Sequence, residues 1–390
     1  KQLNALPRPG SPAMMSPPIA LLTAAIAVVG ANSMVLSPIT GAVAADLGGD
    51  PAEIVQAAAA YGLTTAASAV LLAPRADVIG PHKALYRAVI VILISMLASV
   101  FAQTKWMLIL AQGLGGIGAG VAIPSIYALA PQLAPRGQEK RTMGLVLSGW
   151  TRALVGGVAG SGFLADWAGW RAVYMLLALA ITGIFLAMRR IDLTVDMSRA
   201  RPTSPLTALR VPGIWRGLFS AGATMMGFYG TYAFLGAHVH DALGRGTDGA
   251  GLVTLCYGTG FGLAAMVDKY VDRLPPRLTG LVAFSGLSLV YLALAAFAGD
   301  FAALAGIALV WGIVQHIGLN LVVLRLAALD ATQRGAVLGL NSAVTYLAVT
   351  GGALAFRPAY ESGGLMVCNL LSAAFVAAAV VESLTAPDAA

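Results

Sequence analysis

Apolar stretches of about twenty residues recur twelve times along this chain, and almost no charge interrupts them. They lie near 18–44, 51–73, 84–103, 106–131, 142–164, 170–188, 215–239, 250–270, 279–298, 301–325, 335–356 and 363–384. Each is long enough to cross a bilayer as an α-helix, which pairs every backbone N–H and C=O within its own segment. Composition agrees: 58% of residues are hydrophobic and 11% charged, against roughly 25% charged in a soluble domain. Water alone cannot solvate 390 residues so poor in charge, so lipid must. The expected fold is an all-α membrane protein of twelve transmembrane helices in two pseudo-symmetric six-helix bundles. No nucleophile–base constellation or cofactor motif accompanies them, so neither an enzyme nor a cofactor is expected.

The charges report topology. With the amino terminus placed in the cytoplasm, nineteen Lys and Arg fall on the inner side and four on the outer (Lys105, Arg171, Arg245 and Arg357); Arg152, within a stretch, completes the 24. The positive-inside rule then puts both termini in the cytoplasm of a bacterial-type inner membrane. The net charge of +7 thus signals orientation, and no nucleic-acid partner is expected. Cys256 and Cys368 lie apart in apolar surroundings, which suits neither a disulfide framework nor a zinc site. The Pro-rich start reads as a cytoplasmic tail rather than a cleaved signal.

The basic, proline-bearing connection 189–217 stands near the centre of the chain. It divides the sequence into a tail (1–17), a first bundle (18–188), a linker (189–214), a second bundle (215–384) and a tail (385–390). Asp77 after the second stretch and Asp272 after the eighth are 195 residues apart, as are Gly144 and Gly339, which open the fifth and eleventh. Two matches at one offset of half the length argue for duplication.

On these residues the chain resembles the major facilitator superfamily, and within it the drug and sugar efflux branch that exchanges substrate for protons. The loop "APRADVIGPHK" keeps Asp77, Gly80 and Lys83 of the family motif, with Ala73 and Val78 in place of its glycine and arginine. The fourth stretch, "LILAQGLGGIGAGVAIP", resembles the family's fourth helix, with Gln112 where the family has an arginine and Gly115 where it has a glutamine. The fifth, "SGWTRALVGGVAGSGFLADWAGWR", resembles the antiporter signature with Ala159 at the usual proline. The resemblance implies a latch on the cytoplasmic side made by Asp77, Gly80, Lys83, Asp272 and Arg273; a solvated turn is the plainer reading of the same loops. Relatives implicate the helix 4 arginine in proton coupling, and Gln112 breaks that pattern.

Polar groups inside an apolar span are costly and mark candidate sites. Arg152 lies about ten residues into the fifth stretch, where it reads as a substrate or anion contact, as a structural ion pair, for instance with Asp268, or as a stem that snorkels away. Asp268 belongs either to the latch or to a proton path. His316 is placed to carry a coupling proton, or to bond a helix neighbour such as Asn320. Asn32, Ser33, Tyr127, Tyr229, Tyr232, Asn341 and Tyr346 are further candidates for a substrate cavity, packing being the alternative for each tyrosine. His238, His240 and Met225 offer a loose set of transition-metal ligands. "GLGGIGAG" matches a nucleotide loop in letters only, since no strand precedes it; its small residues let helices approach closely.

The reading that follows is a monomeric secondary transporter working by alternating access, exporting a small organic solute, with an anionic one suggested by Arg152, and driven by protons. The alternatives are a metal or metal-complex transporter and a non-transporting assembly factor or sensor.

Overall fold

A computed structural model describes residues 16–74, 79–135, 137–195, 205–264, 266, 275–330 and 332–385. Asp77, Asp268, Asp272 and Arg273 lie outside them. Among the described residues the chain forms fourteen α-helices and no strand. Two pairs of helices divide one predicted span each, so the twelve spans are all present.

The first span is α1 (Pro17–Met34) and α2 (Leu36–Leu47), and α3 (Pro51–Leu71), α4 (Pro81–Val100) and α5 (Lys105–Gln132) follow. The fifth span is α6 (Glu139–Arg152), a π-helical turn (Ala153–Val158) and α7 (Ala159–Ala168), after which α8 (Trp170–Met188) closes the first group. A short 3₁₀ turn (Pro205–Arg210) lies in the central connection. The second group is α9 (Ile214–Asp241), α10 (Thr247–Ala264), α11 (Pro276–Ala296), α12 (Phe301–Leu329), α13 (Arg334–Ala355) and α14 (Arg357–Thr385). Nine of the described helices are long and apolar enough to cross a membrane. The fifth span falls short because the π turn divides it. The seventh and eighth are diluted by Gly, Ser, Thr and Tyr.

Within the first group α5 packs on α3 and α4, α1 on α6, and α4 on α8; within the second α10 packs on α12, and α14 on α9 and α11. The groups repeat one contact closely. A Cβ on Gly116 of α5 would overlap the Tyr61 carbonyl of α3, and a Cβ on Gly312 of α12 would overlap the Tyr257 carbonyl of α10. Both glycines and both tyrosines are 196 residues apart, one residue from the offset of the sequence matches. Glycine at these points lets the helix backbones touch, as membrane helices without a hydrophobic drive between them require.

One end of the bundle carries the basic helix termini and the other the acidic ones. At the acidic end Lys105 pairs with Glu53 at 2.6 Å, Arg171 with Asp46, and Arg357 with Glu361 at 2.7 Å. The Arg171 guanidinium, helped by the Trp170 indole N–H at 3.1 Å, holds the Asp46 carboxyl below its usual range.

Three seams join the groups: α3 with α13, α7 with α10, and α2 with α9. Among the described residues three hydrogen bonds cross between the groups, all from the middle of the bundle toward the acidic end. Thr350 donates to the Ala59 carbonyl at 3.1 Å, Ser37 to the Tyr232 carbonyl at 2.5 Å, and the Tyr232 hydroxyl to the Met34 carbonyl at 3.1 Å. The last follows from the sequence. Pro38 has no N–H to give the carbonyl four residues back, which is Met34, so the first span breaks at Val35 and frees an acceptor. Tyr232 supplies the missing donor from the other group.

Candidate functional site

Buried polar groups normally find partners, so those without one mark places where a guest can bond. Several of them stand at one level. Asn32 of α1, Tyr61 of α3, Gln315 of α12 and Tyr346 of α13 each stand near the middle of their spans, at least 96% buried. The Asn32 Oδ1, both tyrosine hydroxyls and both Gln315 amide atoms have no protein hydrogen-bond partner. Asn32 stands beside the Tyr61 hydroxyl without closing a bond to it. Tyr61 and Tyr346 meet edge to face across the two groups, 6.3 Å between ring centres. Thr224, one turn from Phe228 toward the basic end of α9, adds a fifth unpartnered buried group.

Aromatic rings pack at the same level. Phe228 stacks on Tyr232 at 5.3 Å and 15°, meets Tyr229 edge-on at 4.8 Å, and touches Trp311 at 5.3 Å and Tyr257 at 5.5 Å. Trp311 is held in place by its N–H, which donates to the Tyr291 hydroxyl at 3.2 Å. Just toward the acidic end a gap of about 20 Å³, room for one water, is lined by Ser33, Ser37, Tyr229 and Tyr232. Toward the basic end Tyr127, Asn320 and Asn341 are half-buried. Tyr127 accepts from the Trp150 indole at 2.8 Å, and Asn320 Nδ2 lies 2.9 Å from His316 Nε2. His316 itself is buried, edge-on to Phe261 at 4.7 Å.

The structure thus brings together Asn32, Ser33, Tyr229, Tyr232, His316 and Tyr346 of the candidates drawn from sequence, with Tyr127, Asn320 and Asn341 on the basic side of them. Arg152 is placed elsewhere. Its neighbours on α6 and in the π turn occupy the faces toward other helices: Trp150 meets Tyr127 of α5 and Gly30 of α1, Thr151 lies over Gly262 of α10, and Leu154 over Gly258. Arg152 projects from the remaining side, exposed, and one turn on Gly156 faces open space. Gln112 is buried and donates to Ser99 of α4 at 3.0 Å, inside the first group.

The residues considered for a metal do not converge. His238 Nε2 lies 2.7 Å from the Ala298 carbonyl, His240 Nδ1 is 2.8 Å from Asp241, and Met225 is in the core. Among the described residues no three His, Cys, Asp or Glu side chains stand together at ligand distance. Of the latch residues, Gly80 caps α4 at φ 95°, a conformation that favours glycine, and Lys83 is exposed one turn on.

Sequence reasoning missed Tyr61, Thr224, Phe228, Tyr257, Trp311 and Gln315. Tyr61 and Tyr257 were findable as equivalent positions at the repeat offset. Gln315 carried a signal as a neutral amide at the centre of a strongly apolar stretch. Nothing local separates Phe228 or Trp311 from ordinary core.

Comparison with known proteins agrees with this architecture. A sequence profile described as Major Facilitator Superfamily matches residues 22–353. An uncharacterized MFS-type transporter, YwfA of Bacillus subtilis (strain 168), is 27% identical over 94% of this chain and 90% of its own. The purine ribonucleoside efflux pump NepI of Escherichia coli O127:H6 is 23% identical over 73% of this chain and 72% of its own. Among solved structures, that of a D-xylose–proton symporter superposes with a TM-score of 0.77 at 14% identity, covering 95% of this chain and 98% of that one.

Proposed function

The chain belongs to the Major Facilitator Superfamily, a family of membrane transporters, and from that premise we propose that it exports a small, uncharged, ring-bearing organic solute by proton-driven alternating access. The observation that carries this reading is the set of unpartnered neutral groups at one level: the Asn32 and Gln315 amides and the Tyr61, Tyr346 and Thr224 hydroxyls. Neutral donors and acceptors beside stacked aromatic faces suit a flat solute bearing hydroxyl or amide groups. Arg152, the cation the sequence offered to an anion, stands on the exposed flank of α6. The nucleoside carried by the efflux pump it resembles is a molecule of the favoured kind.

The chain lies in the inner membrane with its basic end in the cytoplasm. In this reading the three seams hold the acidic end together, and the half-buried Tyr127, Asn320 and Asn341 line the approach from the cytoplasm. Separation of those seams and closure of the opposite end would expose the same level to the other side. His316, buried in mid-span of α12 next to Gln315, is the proton carrier in this scheme.

Proteoliposomes with an imposed pH gradient test the proposal. Nucleosides and neutral aryl amides are expected to move against their gradient, carboxylates of similar size are not, and a protonophore should stop the flux. Arg152→Ala should transport as the parent does, whereas His316→Asn should lose gradient-driven flux but keep solute exchange. Preferential carboxylate transport abolished by Arg152→Ala would overturn the substrate reading, and flux indifferent to the pH gradient would overturn the coupling.

A further inference from the structure

At the basic end a cleft of about 480 Å³ opens between α4 and α8. Lys83 and Arg87 from the first turns of α4 face Arg189 and Arg190 at the end of α8, with His82 and Tyr86 beside them. Among the described residues none of the four Lys and Arg side chains forms an ion pair, and the buried His82 Nδ1 has no partner. The carboxylate in the cleft, Asp192, is engaged by Thr194, which bonds it through its hydroxyl at 2.6 Å and its amide at 2.9 Å. At the acidic end, by contrast, three cations each have a carboxylate.

Both helices continue from these cations in an exposed apolar stripe. Along α4 the positions after Lys83 and Arg87 at helical spacing are Ile94 and Leu97, with Phe101 just past its end. Along α8, running the other way, Arg190 is preceded by Leu186, Leu179 and Leu176. The positions in each stripe are three, four or seven residues apart and so follow one face. Tyr86 and Phe185, rings 5.0 Å apart, join the helices where charge gives way to hydrocarbon. Among the described residues positive charge is in excess in this cleft at the membrane surface, and greasy flanks at least one leaflet deep continue it, which is the outline of one phospholipid molecule. A soluble anion would use the first part and not the second.

We propose that the cleft between α4 and α8 binds the phosphodiester of an anionic phospholipid from the leaflet at the basic end, its acyl chains lying along the two stripes. A basic pocket between transmembrane helices gains from the phosphate, and each surface cation contributes roughly a fivefold gain in affinity. The competing account gives these residues a role in orientation alone, which any inner-side cation would fill equally.

Thermal unfolding of the purified full-length protein in dodecyl maltoside, titrated with dioleoylphosphatidylglycerol, dioleoylphosphatidylcholine or inorganic phosphate, distinguishes the cases, since a ligand of the native state raises its melting temperature. The anionic lipid is expected to raise the midpoint saturably, while the zwitterionic lipid and inorganic phosphate do so weakly. Joint Lys83→Gln, Arg87→Gln and Arg190→Gln substitution should weaken the apparent affinity on the order of a hundredfold. Joint Arg141→Gln and Arg210→Gln, removing basic-end charges outside the cleft, should change it by less than about threefold. Equal stabilisation by phosphatidylcholine, an equal effect of inorganic phosphate, or an equal loss in the second variant would each overturn the proposal. Should the triple variant fail to fold, the three ligands compared on the parent protein still decide it.

Discussion

Tyr61 and Tyr346 bury hydroxyls that bond to nothing in the protein, and a buried hydroxyl without a partner costs about 1–3 kcal/mol. A residue retained only for stability would do better as phenylalanine. Tyr61→Phe and Tyr346→Phe are therefore expected to leave the melting temperature unchanged or raise it, while lowering transport of a hydroxyl-bearing solute at least tenfold. Parallel loss of stability and transport would assign the hydroxyls to the fold instead. The same reasoning separates these two from Tyr232 and Tyr127, whose hydroxyls are engaged with Met34 and Trp150.

Among the elements, the seam between α2 and α9 is the most exacting. A Cβ at Gly236 would overlap the Ser37 carbonyl oxygen, so the two helices can adopt this spacing only with glycine there. Overpacking of this kind costs typically about 1–3 kcal/mol, and relief requires the helices to part. Gly236→Ala should accordingly open the acidic end. The check is a cysteine placed at Ala233, beside the gap, whose labelling by a membrane-impermeant maleimide from the outer face should rise severalfold in the Gly236→Ala background. Unchanged labelling would show that the seam absorbs the methyl group without parting.

Sequence alone reached the elements well and their irregularities poorly. The seventh span, read as 215–239, is observed at Ile214–Asp241, because an apolar run bounded by charge declares itself. The break at Val35 was missed although Pro38 signals it, since proline is tolerated inside membrane helices and its consequence depends on what satisfies the freed carbonyl. The π turn at Ala153–Val158 left no local mark beyond paired glycines. Of the candidate site, the residues named from sequence that the structure brings together are polar or aromatic ones in mid-span. The rings around them and the position of Arg152 on the helix circumference became visible only once neighbouring helices fixed which face points where.

For the whole molecule, the question is whether the two groups of helices move relative to each other during transport. Thr350 and Ala59 sit side by side across the α3–α13 seam, with the Thr350 hydroxyl 3.1 Å from the Ala59 carbonyl. Cysteines at both positions, with Cys256 and Cys368 replaced by alanine, are expected to crosslink under oxidation and to arrest transport, which reductant should restore. Continued transport by the crosslinked form would exclude a cycle in which this seam separates.

The carbonyl of Met34 gives that movement a thermodynamic bias. Its own helix cannot satisfy it, because proline stands four residues on, and its donor belongs to the opposite half of the protein. Parting the halves strands it, at a cost of about 1 kcal/mol, which favours the joined arrangement by roughly fivefold at rest. Water entering from outside, or a hydroxyl on the passenger, could take over the vacant role, so the arrival of solvent or cargo would itself make opening easier.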